Sequence, residues 1–141
     1  MAIITLGDEP QRALLQAARA ARLNAYAPYS NFRVGAAVLD EQGQVHAGCN
    51  VENAAYPQGV CAEASALSAM VLAGGRRATA LLVVGEGPNW VTPCGGCRQK
   101  LREFAAPDTP VLVADGLGVQ LWFTLAELLP HSFGPEHLKP E

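Results

Sequence analysis

Three of the four cysteines restrict what this chain can fold into, because their spacing requires two distant segments to meet. They lie in Cys61-Ala62-Glu63 and in Pro93-Cys94-Gly95-Gly96-Cys97. A structural zinc site closes its tetrahedron with four Cys or His ligands, whereas three ligands leave one position for a water molecule. A carboxylate beside that water can move protons to a leaving nitrogen. The pattern therefore predicts a catalytic zinc site, with Glu63 as its unligated acid and base.

The Cys94-x-x-Cys97 pair is ambiguous when taken alone. It would also suit a thioredoxin-like redox site or a zinc ribbon, and the upstream Cys-Ala-Glu favours the catalytic interpretation. The remaining cysteine, Cys49, falls in a predicted strand, where we expect a small buried apolar side chain rather than a fourth ligand. The three histidines lie away from these motifs, and surface positions are expected for them.

Hydrophobic periodicity predicts an α/β protein. Helices are predicted at residues 9–25, 61–73 and 94–104, strands at 32–39, 44–50, 80–84, 111–114 and 119–123, and a short helix at 125–129 after Thr124. This order predicts a three-layer α/β/α fold with a mixed five-stranded sheet and helices on both faces. Cys61 and Cys94 then begin two helices at one edge, where the helix dipoles favour thiolates. Cys61 and Glu63 converge only beyond the open end of their helix.

Composition bounds the partners of the chain. Half of its 141 residues are apolar, which suits a single domain spanning residues 1–141. The net charge is −3 and no basic cluster exceeds Arg76-Arg77, so no nucleic-acid polymer is expected. The apolar runs are too short to cross a bilayer and the first residues lack a signal-peptide pattern, so a cytoplasmic protein without a membrane partner is expected.

Longer motifs carry a resemblance over nearly the whole chain. They are Tyr-Ala-Pro-Tyr-Ser-Asn-Phe-Arg-Val-Gly-Ala-Ala at 26–37, Gly-Cys-Asn-Val-Glu-Asn-Ala-Ala-Tyr-Pro at 48–57, Cys-Ala-Glu at 61–63, Pro-Cys-Gly-Gly-Cys-Arg-Gln at 93–99 and Leu-Leu-Pro-His-Ser-Phe-Gly-Pro at 128–135. With these motifs the chain resembles the small homotetrameric cytidine deaminases of the cytidine/deoxycytidylate deaminase superfamily. The resemblance implies the fold of that family and a homotetramer with shared active sites.

The resemblance also implies a reaction. Cytidine and 2'-deoxycytidine would be hydrolysed to uridine and 2'-deoxyuridine with release of ammonia, as in pyrimidine salvage. One zinc ion per subunit, held by Cys61, Cys94 and Cys97, would activate water, with Glu63 as the catalytic proton shuttle. Glu52 near the sugar would repel anions, which favours nucleosides over nucleotides.

Substrate-binding roles are implied for six residues. Phe32 would pack on the pyrimidine ring, Asn50 and Glu52 would hold the ribose hydroxyls, and backbone groups near Ala62 would contact the base. Phe133 would reach into the site of a neighbouring subunit, and Tyr56 would line the site or close a subunit contact. From the residues alone, Phe32 suits a core position equally well, and Asn50 suits a turn.

One departure from the family pattern concerns charge. The family usually has Arg directly after the catalytic Glu and often Thr next, where this chain has Ala64 and Ser65. Three thiolates on one divalent ion leave about one net negative charge, and the missing Arg would have drawn electron density from a sulfur. We expect helix dipoles, Ser65 or Arg98 to compensate in part.

Two alternatives remain open at this level. One is a deaminase for a modified cytosine nucleoside or a cytosine-bearing nucleoside antibiotic, suggested by Ala64-Ser65 and by Gln58 as a pocket residue. The other is a non-enzymatic zinc- or redox-stabilised binding module, against which the absence of a fourth ligand argues.

Overall fold

The computed structural model describes residues 6–87 and 89–139, and a five-stranded sheet is its central layer. In chain order the main elements are α1 (Asp8–Arg22), β1 (Gly35–Asp40), β2 (Val45–Cys49), α2 (Ala62–Leu72), β3 (Ala78–Val84), α3 (Gly95–Phe104), β4 (Pro110–Asp115), β5 (Gly118–Thr124) and α4 (Leu125–Leu128). No helix in the described ranges is long and apolar enough to span a bilayer.

The sheet is mixed, with strand order β2-β1-β3-β4-β5. Only β3 and β4 run parallel, and α3 is the crossover between them. Helix α1 packs on one face through Leu14 and Ala18. The opposite face is covered by α2, α3 and α4, whose buried residues include Met70, Leu101 and Leu125. The predicted three-layer arrangement with a mixed five-stranded sheet is confirmed.

Two predicted boundaries are wrong by three residues. Helix α1 ends at Arg22 rather than near residue 25, and β1 begins at Gly35 rather than at Phe32. The Phe32 backbone is engaged by side chains instead of a strand partner: its N–H donates to Ser30 Oγ and its carbonyl accepts from Asn50 Nδ2. Phe32 therefore lies in a loop that leads to the sheet.

Helices α2 and α3 both begin immediately after a cysteine. Cys61 and Cys94 occupy the N-cap positions of α2 and α3 with extended backbones, so each sulfur lies at the positive end of a helix dipole. This confirms the predicted placement of the two motifs. The predicted cap of α4 is also confirmed, since Thr124 and Glu127 form a capping box.

The close approach of α2 to β2 depends on Gly48. A Cβ atom built on Gly48 would lie 2.4 Å from the Ala66 backbone nitrogen and 2.7 Å from the Ala62 carbonyl oxygen. Since those atoms belong to backbone, they cannot rotate away. The absence of a side chain at Gly48 therefore sets the distance between the sheet and the helix that carries Glu63.

We expect Gly48→Ala to destabilise the protein by about 1–3 kcal/mol, the usual effect of adding a methyl group to a filled interior. Chemical denaturation of both proteins would measure it. The matched control is Gly116→Ala, because a Cβ at that exposed turn meets nothing within 4 Å. Equal losses in the two variants would contradict the assigned role of Gly48.

A buried carboxylate stabilises the β1–β2 turn. Asp40 Oδ1 accepts hydrogen bonds from the backbone N–H groups of Gln42 and Gln44, and His46 Nε2 lies 2.8 Å from Asp40 Oδ2. The expectation of a surface position for His46 is wrong, because its side chain is only 11% exposed. The hydrogen bond from His46, helped by those from the backbone, lowers the pKa of Asp40.

This arrangement predicts an acid-sensitive contribution to stability. A carboxyl whose folded pKa is lowered stabilises the fold above its ordinary pKa of 3.8 and loses that effect as pH falls through the lower folded value. We expect Asp40→Asn to melt at a lower temperature than the parent at pH 7, with the difference closing below pH 3.8. Thermal melts across pH would measure this, with exposed Asp8→Asn as the control. A difference that persists unchanged in acid would contradict it.

Candidate active site

Three cysteine sulfurs converge where α2 and α3 begin. The Sγ atoms of Cys61, Cys94 and Cys97 all lie within 4.8 Å of one another, and those of Cys61 and Cys94 are 4.0 Å apart. Cys97 is buried in the first turn of α3, whereas the two N-cap cysteines are exposed. Cys49 lies in β2 and is outside the cluster.

The spacing and chemistry of this cluster fit a zinc ion. Tetrahedral coordination with Zn–S bonds of about 2.3 Å places sulfurs about 3.8 Å apart, close to the separations observed here. Thiolates are also among the ligands that zinc prefers. Within the described ranges, no other group of His, Cys, Asp and Glu side chains is close enough to hold a metal. One zinc ion with three protein ligands and one open position suits this donor set.

Glu63 lies beside the sulfurs in a nearly closed environment. It belongs to the first turn of α2 and is 5% exposed. Burial raises the pKa of its carboxyl, partly opposed by a hydrogen bond from the backbone and then by the charge of Lys100. The Glu63 charge in turn raises the pKa of Cys61, Cys94 and Cys97, which requires the carboxylate to be near all three.

The three thiols differ in how readily they ionise. Burial raises the pKa of Cys97, and the charge of Glu63 raises it further. Burial likewise raises the pKa of Cys61. The pKa of Cys94 is lowered, because the backbone N–H of Cys97 donates to its sulfur. A bound cation is therefore needed to hold all three as thiolates near neutral pH.

Arg98 fixes the loop that leads into the metal-binding motif. Its Nε donates to the Pro93 carbonyl oxygen at 2.7 Å, and its Nη atoms donate to the Leu128 carbonyl at 2.8 Å and to Thr92 Oγ1 at 3.1 Å. The guanidinium thus joins the loop before Cys94 to the end of α4. Its hydrogen bonds go to oxygen atoms rather than to the sulfurs.

Glu52 organises a second loop. Its Oε1 accepts from the N–H groups of Tyr29 and Ser30 at 2.9 and 3.1 Å, and its Oε2 accepts from the Ser30 hydroxyl. The hydrogen bond from Ser30 Oγ does most to lower the pKa of Glu52, so the group is an anion at neutral pH. Glu52 and Tyr56 line one cavity of about 310 Å³.

Asn50 joins the same loop to the sheet. Its Oδ1 accepts from the Val34 N–H at 2.9 Å, and its Nδ2 donates to the Phe32 carbonyl at 2.8 Å. The Phe32 ring contacts the position of Gly85 and lines a separate cavity of about 400 Å³ with Asn89. Phe32 is thus a partly exposed loop residue rather than a core residue.

The remaining predicted residues lie in different surroundings. Ala62 is buried in the first turn of α2. Tyr56 is 75% exposed and packs edge-to-face on Tyr29, with ring centres 5.8 Å apart. Phe133 is 56% exposed, stacks on His137, and its carbonyl accepts from Gln99 Nε2 at 2.9 Å. Phe133 lines neither the Glu52 cavity nor the Phe32 cavity of the described structure.

Comparison with known proteins shows the family. The family model described as the cytidine and deoxycytidylate deaminase zinc-binding region matches residues 8–113, which include the three cysteines and Glu63. The chain belongs to this family. Its members are zinc-dependent hydrolases that act on C–N bonds, and the three-sulfur cluster fits the one zinc ion that such an enzyme binds.

Individual deaminases match most of the chain. A cytidine deaminase from Sporosarcina psychrophila is 43% identical over 125 residues, covering 89% of this chain and 92% of that protein. The crystal structure of a cytidine deaminase from Burkholderia pseudomallei has a TM-score of 0.80 at 45% identity, covering 86% of this chain and 98% of that one. The Mycobacterium leprae enzyme has a TM-score of 0.73 at 44% identity, covering 85% and 97%.

The candidate site includes contacts that sequence analysis missed. The Ser30 hydroxyl donates a hydrogen bond to Glu52. No local sequence pattern predicts this contact, because the two residues meet only in the folded chain. Helix dipoles, Ser65 or Arg98 were expected to offset the zinc charge, and the role of Arg98 in fixing a loop was not foreseen. Lys100 does have a sequence signal, since it follows Gly96 by four residues and therefore shares its helix face.

Proposed function

We propose that this protein catalyses the hydrolytic deamination of cytidine and 2'-deoxycytidine to uridine and 2'-deoxyuridine, with release of ammonia. The observation that carries the proposal is the cluster of three sulfurs with buried Glu63 beside it. The names of the relatives support the same substrate class.

Zinc, when bound to Cys61, Cys94 and Cys97, supplies a Lewis acid that lowers the pKa of a water molecule toward neutrality. Glu63 performs the proton transfers. Its carboxylate accepts a proton from the attacking water and passes it to N3 of the cytosine ring. It then takes the proton of the hydroxyl group added at C4, which becomes the carbonyl, and delivers that proton to the departing amine. Burial favours this role, because a raised pKa lets the carboxyl hold a proton between the two transfers.

Glu52 and Asn50 are proposed to bind the ribose hydroxyls while they hold the loop. A carboxylate offers about four acceptor positions, and the Glu52 contacts with Tyr29 and Ser30 use three. The Asn50 amide retains one donor and one acceptor after its two hydrogen bonds. A ribose hydroxyl group can bind to these remaining donor and acceptor positions, whereas the Glu52 anion would repel a 5'-phosphate.

Contacts with the base are proposed for the other predicted residues. Phe32 offers a partly exposed aromatic face for the pyrimidine, and the Ala62 backbone lies at the open end of α2 beside the metal site. Tyr56 lines the cavity that Glu52 faces. Phe133, exposed and tied to α3, is proposed to complete the site of a neighbouring subunit.

A homotetramer is proposed as the working form. Between α2 and α3 lies a groove of about 720 Å³ with apolar residues Leu67, Val71, Leu72 and Phe104 along it, and Leu72 is 91% exposed. We call it the α2–α3 groove. An exposed apolar surface of this kind suits burial against another copy. Sedimentation velocity would test the assembly, and a monomer would contradict it. A cytoplasmic location and a role in pyrimidine salvage stay predictions.

The decisive experiment is a substrate panel on zinc-loaded protein. Ammonia release and the accompanying ultraviolet change are followed with cytidine, 2'-deoxycytidine, cytosine, CMP and a ring-modified cytidine. Turnover of the two unmodified nucleosides in preference to cytosine and CMP is the expected result. Activity on the modified nucleoside alone would favour the alternative substrate class, and a zinc-loaded protein without activity on any of the five would overturn the proposal.

A further inference from the structure

The three thiolates of the zinc centre carry more negative charge than the metal ion can cancel. Three thiolates and one divalent ion sum to about one net negative charge, and Glu63 adds another when it is ionised. Arg98, the cation nearest in sequence, directs its guanidinium to the Pro93 and Leu128 carbonyls and to Thr92. Those hydrogen bonds hold the Arg98 guanidinium on loop oxygens rather than on the sulfurs, and with Glu63 ionised a second positive charge beside the site would be favourable.

Lys100 lies where such a charge would act. It is one turn after Gly96 on α3, and a Cβ atom built on Gly96 would lie 3.8 Å from Lys100 Nζ. The side chain therefore extends back toward the helix N-terminus, over the segment between Cys94 and Cys97. Among residues 6–87 and 89–139, no carboxylate forms an ion pair with it.

This position is unfavourable for a lysine without a nearby anion. The N-terminus of a helix carries partial positive charge, which repels an ammonium group and favours negative charge. A metal centre with net negative charge at that helix end would attract the ammonium group more strongly than the helix dipole repels it. Ala64 lines the α2–α3 groove together with Lys100, and its methyl group supplies no charge on the α2 side.

We propose that Lys100 supplies the positive charge that offsets the thiolate-rich zinc centre, acting from α3 across the groove from Ala64. The proposal rests on the zinc site of the proposed function. At neutral pH, metal binding converts neutral thiols into a centre with about one negative charge, so a fixed cation strengthens zinc binding. Lys100 is thus a charge-compensating residue rather than a zinc ligand.

The test is zinc affinity, measured by competition with a chromogenic chelator at pH 7 in low salt. Lys100→Met keeps most of the side-chain length and removes the charge. We expect zinc to bind about 3- to 30-fold more weakly, as for unit charges several ångströms apart near a protein surface. Lys100→Arg should keep parental affinity. Ala64→Arg in the Lys100→Met background should restore it, since that side chain enters the same groove.

Two controls separate charge from structure. Lys139→Met removes the same charge from the exposed C-terminal segment and should leave zinc affinity unchanged. In about 1 M salt, where the Debye length falls to about 3 Å, the difference between Lys100→Met and the parent should shrink. Circular dichroism and sedimentation of each variant would check that fold and assembly are retained.

The proposal is overturned if Lys100→Met binds zinc as tightly as the parent, or if Lys100→Arg fails to keep the affinity. A parent protein that binds no zinc would contradict the proposed function rather than this inference.

Discussion

Glu63→Gln is expected to lower deaminase turnover by between about a hundredfold and ten-thousandfold while zinc stays bound. General acid–base catalysis typically contributes this much, and an amide of the same shape cannot accept or deliver the proton. Zinc is retained because the proposed ligands are the three cysteines, so the carboxylate is free to act on the substrate. Ammonia release and metal content measured on the same sample would give both results.

Glu9→Gln is the matched control for this change. Glu9 also lies in the first turn of a helix, α1, but it is exposed and away from the sulfur cluster. Its replacement should leave turnover and zinc content unchanged. If Glu63→Gln kept turnover within about tenfold of the parent, the assignment of Glu63 as proton shuttle would be wrong. If it lost zinc, the carboxylate would be part of the metal site.

The fold and the sulfur cluster could be predicted from sequence because the signals for them are local. The Ala-, Leu- and Met-rich segment of α2 and the continuous apolar run of β3 predict a helix and a doubly covered strand. The two cysteine motifs stand at helix starts, where N-cap geometry and the Cys-x-x-Cys spacing limit what they can bind. Each of these signals lies within a short stretch of sequence, although the sheet and the sulfur cluster that they predict join distant segments.

The surroundings of the substrate-binding residues could not be predicted in the same way. The sequence pattern around Phe32 predicts the start of a strand. In the structure Ser30 and Asn50 form hydrogen bonds with the backbone groups of Phe32, which therefore lies in a loop. The sequence predicts a surface position for His46, but in the folded chain its ring pairs with buried Asp40 across the β1–β2 turn. These outcomes depend on side chains that meet only after the sheet has formed.

The charge around the metal site is also set by residues that meet only in the folded chain. The resemblance to the family draws attention to Ala64, because it implies a basic residue at that position. The groove position of Lys100 becomes apparent only when α2 and α3 are packed side by side. A missing charge on one helix is thus offset by a residue on the next, which no single motif would reveal.

Cys97→Ser is expected to weaken zinc binding by more than about a hundredfold and to abolish turnover with it. Loss of a residue that merely orients a ligand already weakens metal binding about 10- to 100-fold, and loss of a ligand should exceed that. A serine hydroxyl does not ionise at neutral pH, so it cannot replace the thiolate. Chelator competition and ammonia release would measure the two effects.

Cys49→Ser is the matched control, since Cys49 lies in β2 outside the sulfur cluster and should leave zinc affinity unchanged.

Proton release gives a second, independent measure of whether Cys97 is a ligand. Burial and Glu63 raise the pKa of Cys97, so its thiol is protonated in the metal-free protein at pH 7 and must lose that proton to bind zinc. Zinc affinity of the parent therefore rises with pH, and the serine variant should release about one proton fewer per zinc. Titration calorimetry in buffers of different ionisation enthalpy would count these protons, and an unchanged count would remove Cys97 from the ligand set.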